Sequence, residues 1–331
     1  MEQKEKDKKL VKNNSKETNF IFKEIDLSKK RITVTGGAGF LGKHLVEELE
    51  KQGATKIFVP TFPEYDLTKL EDCKKVAEQS DIIIHLAAKV GGIGANMERP
   101  GEFFYDNLMM GVGLIEQARL AKVEKFVALG TICAYPKFTP VPFVEKDLWN
   151  GYPEETNAPY GLAKKMLLVQ IQAYKQQYDF NGVYLLPVNL YGPGDNFDPK
   201  HSHVIPALIK KISDAKKSNS TSIEVWGDGS ASREFLFVKD AARGIALATK
   251  RYNKQEPVNL GAGIEITIKE LITLLCELME YKGKIIWDKT KPNGQPRRCL
   301  NIEKAKKEFG FIATTNFRDG LKETIKWCEE Q

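Results

Sequence analysis

The stretch RITVTGGAGFLGKHLVEELEKQG, residues 31–53, decides the fold. Five β-prone residues run into glycines at 36, 37, 39 and 42, and the residues beyond them carry apolar side chains at helical spacing up to a stop at Gly53. This reads as strand, glycine loop, helix. The loop satisfies GxGxxG over 37, 39 and 42, and GxxGxxG over 36, 39 and 42. Either pattern is weak alone, but after a strand and before a helix it sets free helix amides where a pyrophosphate can approach bare backbone.

Working outward, the pattern predicts strands over 56–59, 81–86, 125–129 and 183–188, with helical material between them. Long helices are expected over 100–121 and 158–178, the second with Thr156 or Asn157 as cap and Pro159 in its first turn. Alternating strands and helices give an α/β fold, a Rossmann-type doubly wound parallel sheet. Beyond Tyr191 the composition turns to Gly, Pro, Asn and Asp, marking a smaller C-terminal α/β substrate domain with a helix over 204–217, a strand over 222–226 and a helix over 267–281. Residues 235–250 read as one more strand and helix of the first domain. The expected division is a flexible basic extension over 1–30, a dinucleotide-binding domain over 31–190 plus about 235–258, and a substrate domain over 191–234 plus about 259–331.

Bulk properties narrow the class. The chain has 331 residues, 42% of them hydrophobic, enough for a sizeable core. Much of the net charge of +6 comes from the lysine-rich first thirty residues and from scattered Lys-Lys pairs, so a solvated tail or surface is expected rather than a nucleic-acid partner. No apolar run approaches the ~20 residues of a membrane span and the start lacks the apolar segment of a signal peptide, so a cytoplasmic protein without a membrane partner is expected. Five cysteines without CxxC spacing argue for reduced thiols and no metal site.

The chemistry concentrates between Gly130 and His203. Tyr160 and Lys164 lie one helical turn apart, so an ammonium is expected to favour the phenolate and lower the tyrosine pKa. Cys133 and His203 add a thiol and an imidazole suited to moving a carbon-bound proton, which reduction alone would not need. His44, His85 and His201 read as structural or surface residues. At the end of the second strand, where an acid would hold the ribose of NAD, the chain has Val59, Pro60, Thr61, Phe62, Pro63 and Glu64. The missing acid tilts the expectation to NADP, with Lys43 as a distant phosphate partner and NAD as the alternative; Asp66 either contacts adenine or caps the turn at Thr68.

Together TGGAGFLG, HLAAKVGGIGAN, LGTICAYPK, YGLAK, NLYGPGDNF, SHVIPAL, VWGDGSASREFLFV and KPNGQPRR resemble the extended short-chain dehydrogenase/reductase family, and within it the GDP-L-fucose synthases, from about residue 31 to the end. The resemblance implies inversion at C3 and C5 of GDP-4-keto-6-deoxy-D-mannose, then reduction at C4 with NADPH. It makes Cys133 the base, His203 the acid, Tyr160 the proton donor to the C4 oxygen, Thr131 a hydrogen-bonding partner of that oxygen, and Lys164 the residue that tunes Tyr160 and holds the nicotinamide ribose. Thr131 stands where the family usually has serine. Cofactor contacts are implied at Gly36, Gly37, Ala38, Gly39, Phe40, Leu41, Gly42, Asp66, Leu67, Leu86, Ala87, Ala88, Leu129, Gly130, Pro187, Asn189, Leu190 and His203, besides Tyr160 and Lys164. Contacts to the GDP-sugar are implied at Asn189, Val204, Lys211, Trp226, Arg233 and Asn293. Apolar residues on the two long helices, among them Met109, Met110, Leu167, Leu168 and Ile171, imply a homodimer. The alternative function is another nucleotide-sugar epimerase or reductase, such as a GDP-colitose synthase or an NAD-recycling GDP-hexose epimerase.

Overall fold

The computed structural model describes residues 24–198, 202–291 and 294–331. In chain order it contains β1 (Arg31–Thr35), α1 (Phe40–Lys51), β2 (Lys56–Phe58), α2 (Leu70–Glu78), β3 (Ile82–His85), α3 (Ile93–Glu98), α4 (Pro100–Leu120), β4 (Lys125–Leu129), α5 (Ala158–Tyr178), β5 (Gly182–Pro187) and β6 (Asn189–Tyr191). There follow α6 (Val204–Lys217), β7 (Ser222–Trp226), β8 (Ser232–Phe237), α7 (Val238–Arg251), β9 (Val258–Leu260), β10 (Glu265–Thr267), α8 (Ile268–Leu278), β11 (Lys284–Asp288), α9 (Glu303–Phe309) and α10 (Phe317–Glu329).

Six parallel strands form the main sheet in the order β2-β1-β3-β4-β5-β9. The order reverses at β1: the chain steps outward to β2, then returns to β3 on the other side. With right-handed crossovers this puts α1 and α7, which pack together, on one face and α2, α4 and α5 on the other. Covered on both faces, β3 and β4 are fully buried, as their unbroken apolar runs require. α5 begins at Ala158 with Pro159 in its first turn and stops at Asp179, whose left-handed backbone (φ 54°) closes the last turn. Asn157 occupies the cap position, but neither it nor Thr156 caps the helix amides; both side chains donate to Glu154.

A second core gathers Ile205, Ile209, Ile212, Phe235, Phe237, Leu271 and Leu275 under a three-stranded sheet, β10-β8-β6, and a two-stranded one, β11-β7. One expectation is corrected here. The strand of the 235–250 segment pairs with β6 and β10 and is absent from the main sheet; only its helix, α7, returns to the first core. The reason is the strand's alternation, since Leu236 faces the first core while Phe235 and Phe237 face the second, making β8 the wall between them. The sixth main-sheet strand is β9 instead. Residues 24–30, expected within the flexible extension, are also packed: Leu27 is buried, Glu24 pairs with Lys250 and Arg251, and Lys30 pairs with Glu124.

The apolar residues expected at a subunit interface are largely spent inside the chain. Leu167, Leu168 and Ile171 are fully buried, with Leu167 against Gly111 of α4. No described helix is long and apolar enough to cross a membrane.

Candidate active site

A cavity of about 1300 Å³ opens at the carboxyl ends of β1 and β3, where the strand order reverses, and continues to the second core. Its inner wall is the glycine loop. A Cβ on Gly42 would lie 2.1 Å from the Gly36 carbonyl oxygen, and Gly36 itself has φ +72° against the Ala87 backbone, so neither position tolerates a side chain. Gly39 caps α1 without a side chain, leaving the first helix amides facing the cavity. This cradle, bare of Cβ atoms and ended by free amides, fits a dinucleotide diphosphate. Ala38, Phe40, Leu41, Leu86, Ala87, Ala88, Leu129, Gly130, Pro187, Asn189 and Leu190 also line the cavity. Gly37 does not; a Cβ there would lie 2.8 Å from the Val59 methyls.

The outer end of the cradle is formed by Pro60, Thr61, Phe62, Tyr65, Asp66 and Leu67. Asp66 accepts from both the amide and the hydroxyl of Thr68 and pairs with Lys69 at 3.4 Å, so the turn-capping reading of this carboxylate holds. Lys43 is exposed on α1 and is not among the lining residues.

Four elements bring the proton-handling groups to the same cavity. Thr131 and Cys133 leave the end of β4 in a short 3-10 turn, where the Thr131 hydroxyl accepts from the Cys133 amide at 3.2 Å. Tyr160 and Lys164 project from the first turns of α5. His203 stands at the start of α6, its ring making no capping bond, and all five residues line the cavity. Gly161 permits this arrangement: a Cβ there would lie 2.4 Å from the Cys133 carbonyl oxygen, so only glycine lets α5 close on the turn that carries the thiol. Gly130 plays the same part toward Tyr184, whose hydroxyl would lie 2.4 Å from an added Cβ.

The electrostatics correct one expectation. Burial pushes the Tyr160 phenol well above its usual value, the nearby Cys133 adds to the rise, and the hydrogen bond with Thr131 only partly offsets it. The same burial lowers Lys164 to about 8. Both groups line the same cavity, and burial is the largest influence on each. Tyr160 keeps part of its surface open to the cavity, and His203, though exposed on that side, sits deep enough in protein for burial to disfavour its cation. His85 is buried against Thr35 at 2.8 Å and His44 contacts the Pro193 carbonyl, both serving the scaffold.

The far end of the cavity is basic. Lys211 donates to the Glu224 carbonyl at 2.9 Å, Arg233 to the carbonyls of Ser232 and Gln295, and Trp226 is half exposed beside them; Val204 completes this wall. Asn189 donates to the Glu234 carbonyl at 3.1 Å. Asn293 and His201 lie outside the described residues. Among the cavity residues not foreseen are Gln295 and Arg298, both nearly fully buried, with Arg298 3.6 Å from the Cys133 sulfur. Their one sequence signal is the paired arginines of the KPNGQPRR segment.

Among the described residues no cluster of three His, Cys, Asp or Glu side chains could hold a metal. The model of the NAD-dependent epimerase/dehydratase family matches residues 32–261. The chain belongs to that family. Membership makes it a nicotinamide-dependent enzyme of the extended short-chain dehydrogenase/reductase type, in keeping with the cradle described above. GDP-L-fucose synthase 1 of Arabidopsis thaliana is 40% identical over 299 residues, covering 90% of this chain and 92% of that one. GDP-L-fucose synthase of Escherichia coli K12 is 35% identical over 318 residues, covering 92% and 98%. A GDP-L-fucose synthetase from Naegleria fowleri bound to NADP superposes with a TM-score of 0.85 at 28% identity, covering 93% of this chain and 97% of its own.

Proposed function

We propose that this chain converts GDP-4-keto-6-deoxy-D-mannose to GDP-L-fucose by epimerisation at C3 and C5 and reduction at C4. The observation that carries the reading is the meeting of thiol, imidazole and phenol in the cavity that also holds the glycine cradle. A C4 ketone acidifies the protons on both neighbouring carbons, so a base on one ring face and an acid on the other invert each centre through an enolate. Cys133 takes the proton and His203, with burial holding its cation in check, exchanges one on the opposite face. Nicotinamide, when bound, supplies the hydride for C4. Tyr160, kept protonated by burial, then gives its proton to the C4 oxygen, which Thr131 holds by a hydrogen bond. Lys164 sits one turn along the same helix, placed to hold the nicotinamide ribose and to balance the negative charge that Tyr160 acquires on giving up its proton. Lys211 and Arg233 meet the diphosphate and Trp226 offers a flat surface to the base or sugar.

NADPH is the reductant we infer. Support comes from the missing acid after β2, where Glu64 is exposed outside the cavity and the carboxylate of Asp66 is committed to Thr68 and Lys69. We also infer a homodimer through α4 and α5, whose exposed Phe104, Tyr105, Leu120 and Val169 remain uncovered within one chain. The function is tested by incubating purified protein with GDP-4-keto-6-deoxymannose and NADPH or NADH and assigning the product by NMR. GDP-L-fucose formed faster with NADPH is the expected result; a 4-reduced product without inversion would place the chain with the plain GDP-sugar reductases.

A further inference from the structure

We propose that Arg298 is a positioning residue for Cys133, donating an N–H···S bond that keeps the sulfur aimed into the cavity, where it can take a carbon-bound proton. This rests on the reading of Cys133 as the epimerising base.

Arg298 is 8% exposed, and its Nη1 lies 3.6 Å from the Cys133 sulfur. Its Nε donates to the Gln295 side-chain oxygen at 2.8 Å, and the Gln295 amide nitrogen donates in turn to the Lys137 carbonyl at 2.7 Å. Among the described residues no carboxylate pairs with Arg298. A buried cation needs an anion, and Cys133 is the one group it touches that can carry negative charge. The segment bearing it is fixed on both sides. The buried Glu234 carboxylate accepts the Leu300 amide at 2.6 Å, the Phe143 amide donates to the Cys299 carbonyl at 2.8 Å, and the Asn301 amide donates to the Phe143 carbonyl at 2.9 Å. Positive charge is crowded here. Arg233, tied to the same Gln295, is lowered to about 10 by burial and by Arg298, while Cys133 acts on it in the opposite sense. A cation beside a thiol raises the thiolate fraction, and the thiolate is the form that abstracts a proton.

The test is alkylation of Cys133 by iodoacetamide, followed across pH by mass spectrometry of its peptide, in the full-length wild type, Arg298→Met, Arg298→Gln and Arg298→Lys. Loss of the cation is expected to slow alkylation near neutral pH about tenfold and to displace the profile toward higher pH, because a neighbouring cation favours the reactive form of a thiol. Arg298→Gln serves if Arg298→Met fails to fold, and Arg298→Lys should restore most of the rate. Deuterium exchange into the keto-sugar should fall in parallel. A neutral variant with the wild-type alkylation profile overturns the proposal, as does a rise in KM for the GDP-sugar with alkylation unchanged, which would assign Arg298 to the diphosphate. If alkylation shifts as expected but the wild type exchanges no carbon-bound proton, the contact stands and the reading of Cys133 as epimerising base falls.

Discussion

Gly161→Ala probes the geometry on which the reaction depends. The added Cβ would lie 2.4 Å from the Cys133 carbonyl oxygen, 2.9 Å from its carbon and 3.3 Å from the Ala134 nitrogen, all backbone atoms that cannot rotate away. Restoring an ordinary contact requires α5 and the Thr131–Cys133 turn to separate by about 1 Å. Overpacking of this kind costs about 1–3 kcal/mol of stability. A misplacement near 1 Å between reacting groups costs on the order of 100-fold in rate. Tyr160 and Cys133 sit on opposite sides of this contact, so both reduction and carbon exchange should fall by about that factor while the distant glycine cradle still binds NADPH. Stopped-flow NADPH oxidation, deuterium uptake and NADPH fluorescence titration read the three quantities separately. Gly101→Ala in α4, where an added Cβ meets nothing within 4 Å, is the control and should be neutral or slightly stabilising. Wild-type turnover by Gly161→Ala would refute the claim that this contact sets the site.

Tyr160→Phe should abolish reduction at C4 yet leave deuterium exchange at the neighbouring carbons, because it removes the proton donor and leaves Cys133 and His203 intact; both rates are read by NMR of the sugar. Lys164→Met should be more stable than wild type at neutral pH. The Lys164 ammonium ionises at about 8 in the folded state against 10.5 ordinarily, so its burial cost is fully present below pH 8 and fades as pH rises toward 10.5. The gain is on the order of 3 kcal/mol at most near pH 7 and shrinks toward pH 10, seen by urea titration of both proteins at each pH. Glu234→Gln should lose about 1–3 kcal/mol by the same measurement, since its two carboxylate oxygens each accept one amide, Gly263 and Leu300, at 2.6 Å, and the substitution turns one of those oxygens into an NH2 group that cannot accept.

Elements with strong punctuation were legible in the sequence. The bounds of β1, β4, α5, α6 and β7 coincide with the expected ones because glycine, proline or asparagine breaks the pattern near their ends. The three-residue strands β6, β9 and β10 are too short to show a period, and whether β8 joins one sheet or another depends on what lies against its two faces. Within the site, the glycine cradle and the Tyr160–Lys164 pair follow from local spacing, whereas the roles of Thr131, Cys133 and His203 come from the family resemblance of their segments. Arg298 follows from neither, because 165 residues separate it from Cys133 and only the folded chain joins them. Nor could spacing reveal that Tyr160 would be pushed up rather than down, which burial decides.

The most direct test is deuterium incorporation from heavy water into GDP-4-keto-6-deoxymannose by the wild-type protein, followed by NMR with and without NADPH. Label at both C3 and C5 before any reductant is added, then carried into GDP-L-fucose, is the predicted result. Oxidation of NADPH with neither carbon labelled would contradict it.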